Sequence, residues 1–230
     1  MMNALTRSLN IPAVRTAERV GRDKIVANMR KMGVKSEIII SRPLPLGAAD
    51  LTVLEMTQSY AHFASGGLAV EAHASIEVRT PLGEIVWNSN AAKRAQVFSR
   101  QSVSYMNQML HNVVEAGTGR RARIDGFFVA GKTGTTNAYR DAWFVGYTGN
   151  YVAGVWICND DYSPTRRMTG GSLPATVWQK AMAYAHQGIT PAPLLGVEGA
   201  PPRTGAPQVA ASGGEQVARR PTTLLSLIHI

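Results

Sequence analysis

The chain has 230 residues, 45% hydrophobic and 17% charged, with a formal net charge of +9, which suits one packed core with or without a tail. A basic balance points to an anionic neighbour; the arginines form no long run and no nucleic-acid motif accompanies them, which argues against nucleic acid. The single cysteine, Cys158, excludes an internal disulfide, and no stretch is long and apolar enough to span a bilayer.

The first eight residues carry no apolar signal-peptide core. Asn10-Ile-Pro12 predicts a helix start, with Asn10 as cap, Ala13, Val14, Ala17 and Val20 apolar, and Gly21 as the stop. A second helix is expected over 23–32, with Ile25, Val26, Met29 and Met32 on one side and Gly33 at its end. Residues 38–47 are a loop punctuated by proline. Thr52-Val-Leu-Glu55 is the capping-box pattern. It opens a helix expected to bury Val53, Met56, Tyr60 and Phe63 and to stop at Gly66-Gly67.

Residues 70–88 read as a hairpin turning at Thr80-Pro-Leu-Gly83. Ser99 caps a helix with Val103, Met106, Met109, Leu110, Val113 and Val114 at helical spacing. Gly117-Thr-Gly119 closes it, and its methionines read as core filler. The aromatic and β-branched run Phe127-Phe-Val-Ala130 favours extended backbone and leads into Gly131-Lys-Thr-Gly-Thr-Thr136. Turn residues follow, then strands over 141–147 and 151–157, with Cys158 expected as a buried strand residue. Ser172-Leu-Pro174 opens a last helix that ends near Gly188. Residues 189–224, rich in Pro, Gly and Ala, read as a disordered tail. Residues 225–230 look like a translated adapter scar and are set aside. The order predicts an α+β domain over 1–188, an antiparallel sheet with segregated flanking helices.

Lys132 carries the chemistry. A strand ending in a turn offers a cation, the hydroxyls of Thr133 and Thr135, and the bare backbone of Gly134 beside edge N–H and C=O groups. Strand alternation puts Lys132 and Gly134 on one face and Thr133 and Thr135 on the other. A pocket using all four therefore lies at the strand's edge. The string from Gly126 to Thr133 also fits a phosphate-binding loop. Bulky strand formers fill its middle and turn residues follow where a helix is required, so nucleotide binding is disfavoured.

Ser8-Leu-Asn10 and Lys132-Thr-Gly134 stand in the order of two of the three motifs of penicillin-binding proteins and class A β-lactamases. Several further segments join them. These are Thr52-Val-Leu-Glu-Met56, Tyr60-Ala-His-Phe-Ala-Ser-Gly-Gly67, Val113-Val-Glu-Ala-Gly-Thr-Gly119, Arg140-Asp-Ala-Trp-Phe-Val-Gly-Tyr147 and Gly170-Gly-Ser-Leu-Pro174. With them, residues 3–187 resemble the C-terminal part of the transpeptidase domain of a bifunctional class A penicillin-binding protein of the 1A type. The resemblance implies a serine D,D-transpeptidase that cleaves the D-Ala-D-Ala end of a peptidoglycan stem peptide, passes the acyl group to an amine, and binds β-lactams. It implies no cofactor and no metal. Membrane contact would come only through an N-terminal anchor, on the periplasmic side of the bacterial inner membrane.

By this resemblance Ser8 and Lys132 relay a proton, and Asn10 holds the peptide or acyl amide. Lys132 supplies positive potential for the terminal carboxylate, Thr133 and Thr135 bond it, and the Thr135 N–H serves the oxyanion. No serine here is followed by lysine three residues later, so the Ser-x-x-Lys nucleophile and base are expected upstream of Met1, and the chain reads as a fragment. A D,D-carboxypeptidase or β-lactamase of the same fold, and a non-catalytic binding module, remain as alternatives. The five histidines show no metal-ligand spacing. Arg140-Asp141 is expected as a surface ion pair, and Arg120, Arg121 and Arg123 as a solvated face.

Overall fold

A computed structural model describes residues 1–89, 94–199, 201 and 226–229. The chain opens with a short helix not foreseen from sequence, α1 Met2–Thr6, followed by α2 Asn10–Val20 and α3 Arg22–Lys31. Gly21 joins the last two at φ +93°, a backbone state that side chains disfavour. Asn10 is the first helical residue rather than the cap. Leu9 holds the cap position with extended backbone and no side-chain bond, because the chain turns earlier, at Ser8.

Helix α4, Val53–Ala64, starts on the expected capping box. Glu55 N–H donates to Thr52 Oγ1 at 3.1 Å, and the Glu55 carboxylate accepts the Thr52 N–H at 3.0 Å. The expected inward face is shifted. Thr57, Ser59, Ala61 and His62 are buried, while Val53, Met56, Tyr60 and Phe63 are half-buried. Thr57 and Ser59 tolerate burial because their hydroxyls bond back to Val53 and Glu55 carbonyls at 2.6 and 2.8 Å. Met56, Tyr60 and Phe63 line a cavity instead.

Strands β1 Glu77–Arg79 and β2 Ile85–Asn88 form the expected hairpin as a separate two-stranded sheet. Helix α5, Arg100–Glu115, begins on Ser99, whose Oγ accepts the Ser102 N–H at 3.2 Å. The main sheet is antiparallel, in the order β3 Ala130–Thr135, β4 Asp141–Tyr147, β5 Tyr151–Cys158, β6 Ser226–His229. Residues set aside from sequence as a scar thus pair with β5, Tyr151 opposite His229. Cys158, at the end of β5, is half-buried rather than buried.

Period-two alternation divides the core. Ala130, Tyr147 and Val152 face Ala61 of α4 and Leu110 of α5. Phe144, Ala153 and Val155 face the other way, onto Trp178 and Met182 of α6 Leu173–Ala185, and the Trp178 indole N–H donates to the Ala153 carbonyl at 2.9 Å. Packed structure continues past the expected boundary at 188. Leu194 is buried beside Tyr147, Ala192 N–H bonds Asn150 Oδ1 at 3.0 Å, and the Leu195 carbonyl accepts from Asn107 Nδ2 at 3.0 Å. A Pro/Gly/Ala average concealed these local anchors; residues 200 and 202–224 of the expected tail lie outside the described residues.

Candidate active site

Strand β3 forms one edge of the main sheet. Thr136 N–H bonds the Asp141 carbonyl of β4 at 3.0 Å, while the Thr133 carbonyl accepts from Lys132 Nζ at 3.0 Å. Even-numbered backbone groups therefore pair with β4. Those of Thr133 turn to the open edge, and alternation sends the Thr135 N–H the same way. The hairpin after Thr135 leads directly into β4, so Lys132 lies on a strand and not in a phosphate loop at the head of a helix.

Lys132 Nζ donates to Ser8 Oγ at 2.8 Å. Ser8 is exposed and left-handed, φ +54°, a state that costs a serine energy and that recurs at functional sites. It is carried there by α1, which is tied to α5: Asn112 Nδ2 donates to Thr6 Oγ1 at 2.7 Å. Gly117 packs against the same residue, and a β-carbon on it would overlap the Thr6 carbonyl oxygen. Asn10 is exposed at the start of α2, and with Ser8 and Leu9 it lines a shallow cavity of about 410 Å³.

Burial lowers the Lys132 pKa to about 8: an apolar wall disfavours the charged ammonium. The wall belongs to a cavity of about 310 Å³ lined by Leu5, Met29, Met56, Tyr60 and Phe63 besides Lys132 itself.

The other residues singled out from sequence lie around this pair. Thr133 Oγ1 is 2.7 Å from Thr118 Oγ1. Thr135 Oγ1 accepts the Gly170 N–H at 3.1 Å. At Gly134 a β-carbon would sit 3.1 Å from Cβ of Trp143, so its bareness serves packing against β4 on the face that Lys132 shares. Trp143 stacks on Trp156 with centroids 5.5 Å apart, and the Trp156 indole N–H donates to Asp141 Oδ1 at 3.0 Å.

The expected Arg140–Asp141 pair is not formed. Asp141 accepts from Trp156 and Thr136, while the Arg140 guanidinium lies 4.5 Å from the Tyr162 ring centroid. Nor is the arginine cluster simply solvated: Arg121 donates to the Gly171 carbonyl at 2.9 Å, and Arg123 pairs with Glu115 at 3.4 Å. Among the described residues no group of three or more His, Cys, Asp or Glu is placed to hold a metal. His62 and His186 are buried and bond the Gln58 and Met182 carbonyls. Sequence reasoning read Gly117-Thr-Gly119 as a helix stop and as part of a family-like segment, and missed the contact of Thr118 with Thr133. The glycine pair around a lone hydroxyl was the available signal.

Comparison with known proteins agrees with this geometry. The family model for the penicillin binding protein transpeptidase domain matches residues 1–183. Penicillin-binding protein 4 of Bacillus subtilis is 30% identical over 80% of the chain and 30% of its own length. Penicillin-binding protein 1A of Neisseria flavescens is 32% identical over 98% of the chain and 28% of its length. Penicillin-binding protein 1B of Escherichia coli is 33% identical over 84% and 23%. The chain thus spans less than a third of each of these relatives. Among solved structures, penicillin-binding protein 1A of Haemophilus influenzae superposes with a TM-score of 0.72 at 24% identity, over 84% of this chain and 35% of that one. PonA1 of Mycobacterium tuberculosis, solved in complex with penicillin V, gives 0.73 at 22%, over 88% and 62%. The lysine strand, the serine bonded to it and the family match over most of the chain lead to one conclusion: the chain belongs to the penicillin binding protein transpeptidase domain family.

Proposed function

We propose that this chain supplies two walls of a serine acyl-transfer site for peptidoglycan cross-linking, one from Ser8 and Asn10 and one from Lys132 to Thr135. The observation that carries the reading is the 2.8 Å bond from Lys132 to Ser8, made at an open sheet edge. A stem peptide ending in D-Ala-D-Ala lies along β3 as an added strand. Its terminal carboxylate is drawn by Lys132 and bonded by the Thr133 and Thr135 hydroxyls. Gly134 keeps Trp143 close beneath the strand, and Asn10 holds the peptide amide. The Thr135 N–H receives the oxyanion.

The attacking hydroxyl belongs to a Ser-x-x-Lys outside these 230 residues, since the chain contains no such pattern. That hydroxyl gives its proton to the lysine of the same motif as it adds to the penultimate carbonyl carbon, and the carbonyl–nitrogen bond breaks. Ser8, fed by Lys132, delivers a proton to the leaving amine of D-alanine. An amine from a neighbouring strand then takes the acyl group and restores the serine. β-Lactams enter the same site, a reading supported by the penicillin V complex of PonA1. No described helix is long and apolar enough to cross a membrane. Attachment to the periplasmic side of the inner membrane rests on an anchor elsewhere in the full protein.

Fluorescent penicillin separates the outcomes. The 230-residue chain gives no labelled band on a denaturing gel. The same chain extended through an upstream Ser-x-x-Lys is labelled, and Lys132→Ala in the extended form suppresses the label. A labelled serine within the 230 residues, or an extended form indifferent to Lys132→Ala, overturns the proposal.

A further inference from the structure

We infer that Thr118, in the turn after α5, is a substrate-contacting residue that shares the carboxylate subsite with Thr133; this rests on the acyl-transfer reading above. Its hydroxyl is exposed and lies 2.7 Å from that of Thr133. Two hydroxyls carry two protons, and the bond between them uses one. The other is free to donate to an anion, and a donor that is itself hydrogen-bonded donates more strongly. The Thr135 hydroxyl accepts the Gly170 N–H and keeps its own proton for the same anion.

The turn is built to hold Thr118 still. Its N–H donates to the Thr6 carbonyl at 3.3 Å, two residues before Ser8, and Gly119 N–H bonds the Val113 carbonyl at 3.0 Å. On its far side, a β-carbon at Gly171 would overlap the Thr118 carbonyl oxygen. Arg121, fixed on the Gly171 carbonyl at 2.9 Å, brings a second positive charge to this end of the site. The residue thus touches three segments at once, the start of the chain and the loop entering α6 through its backbone and the lysine strand through its hydroxyl. Water takes the exposed hydroxyl proton in the free chain, and a peptide carboxylate beside Lys132 can replace that water.

The test is an NMR shift titration of the 230-residue chain with N-acetyl-D-alanyl-D-alanine and with its C-terminal amide. Wild type is expected to bind the acid more tightly than the amide. Thr118→Val should weaken the acid about tenfold, the effect of one charge-assisted hydrogen bond, and leave the amide unchanged, while Thr118→Ser retains wild-type preference. Thr118→Ala serves the same comparison if the valine variant loses its native amide spectrum. Equal weakening of acid and amide, or full retention of the preference without the hydroxyl, overturns the role of Thr118 and spares the acyl-transfer reading. A wild-type chain that does not prefer the acid overturns both.

Discussion

Lys132 and Ser8 meet at 2.8 Å across 124 residues of sequence, and the lysine makes this contact from an apolar wall that lowers its pKa to about 8. The position is costly to the folded chain. An unfolded lysine keeps its proton to about 10.5, so between these two values the unfolded state holds more protons, and stability rises with pH through that window.

Lys132→Met should therefore raise thermal stability at neutral pH by several degrees, a gain of roughly 1–2 kcal/mol, while abolishing the acid-over-amide preference. The stability difference from wild type should shrink as pH climbs through the window. Melting curves at pH 7 and pH 10 check both the sign and the trend.

Glu55 titrates in the opposite sense. Desolvation pushes its pKa up, but hydrogen bonds from Ser36, Thr52 and Lys35 together outweigh this and hold it at about 2 against an ordinary 4.5. The stability it contributes is present above pH 4.5 and lost as pH falls toward 2. Glu55→Ala should cost about 1–2 kcal/mol at pH 7, with the gap to wild type closing in acid, measured by urea unfolding across pH.

A buried polar pair braces the middle of the fold. The Tyr147 hydroxyl donates to Asn107 Oδ1 at 2.7 Å, and Asn107 Nδ2 in turn donates to the Leu195 carbonyl at 3.0 Å. Asn107→Leu strands both partners and should destabilise by about 2–3 kcal/mol. Tyr147→Phe, which leaves only one group unmatched, should cost about half as much. Chemical denaturation distinguishes the two.

Leu194→Ala tests whether the segment after α6 belongs to the core. Its side chain is buried among Tyr147, Val152 and Leu110. Truncation should cost about 2–4 kcal/mol, whereas a disordered tail would tolerate it without change in the unfolding midpoint.

What could be read from the chain divides by distance along it. The Thr52–Glu55 capping box, the Ser99 cap, the β1–β2 turn and the β3–β4–β5 meander depend on residues a few positions apart, and all appear as expected. Partners chosen across space were not legible. Thr118 finds Thr133, Leu194 finds Tyr147, and Arg140 turns to Tyr162 rather than its neighbour Asp141. Local patterning sets an element and its faces, but not which neighbour covers each face. In α4 the apolar stripe therefore pointed to one flank while self-bonded threonine and serine were the residues buried. The meeting of Ser8 with Lys132 was foreseen through family resemblance, since nothing near Ser8 announces a lysine.

The bracing of α1 against the turn after α5 also sets an order of events during synthesis. Ser8 leaves the ribosome well before β3, yet its seat depends on Thr6 being gripped by Asn112 and Gly117 and on Lys132 arriving from β3. A nascent chain cut before β3 carries the serine without its companion, and closing so long a loop is entropically unfavourable until sheet and helix are both in place. The contact of Lys132 with Ser8 is thus among the last parts of the domain to come into being.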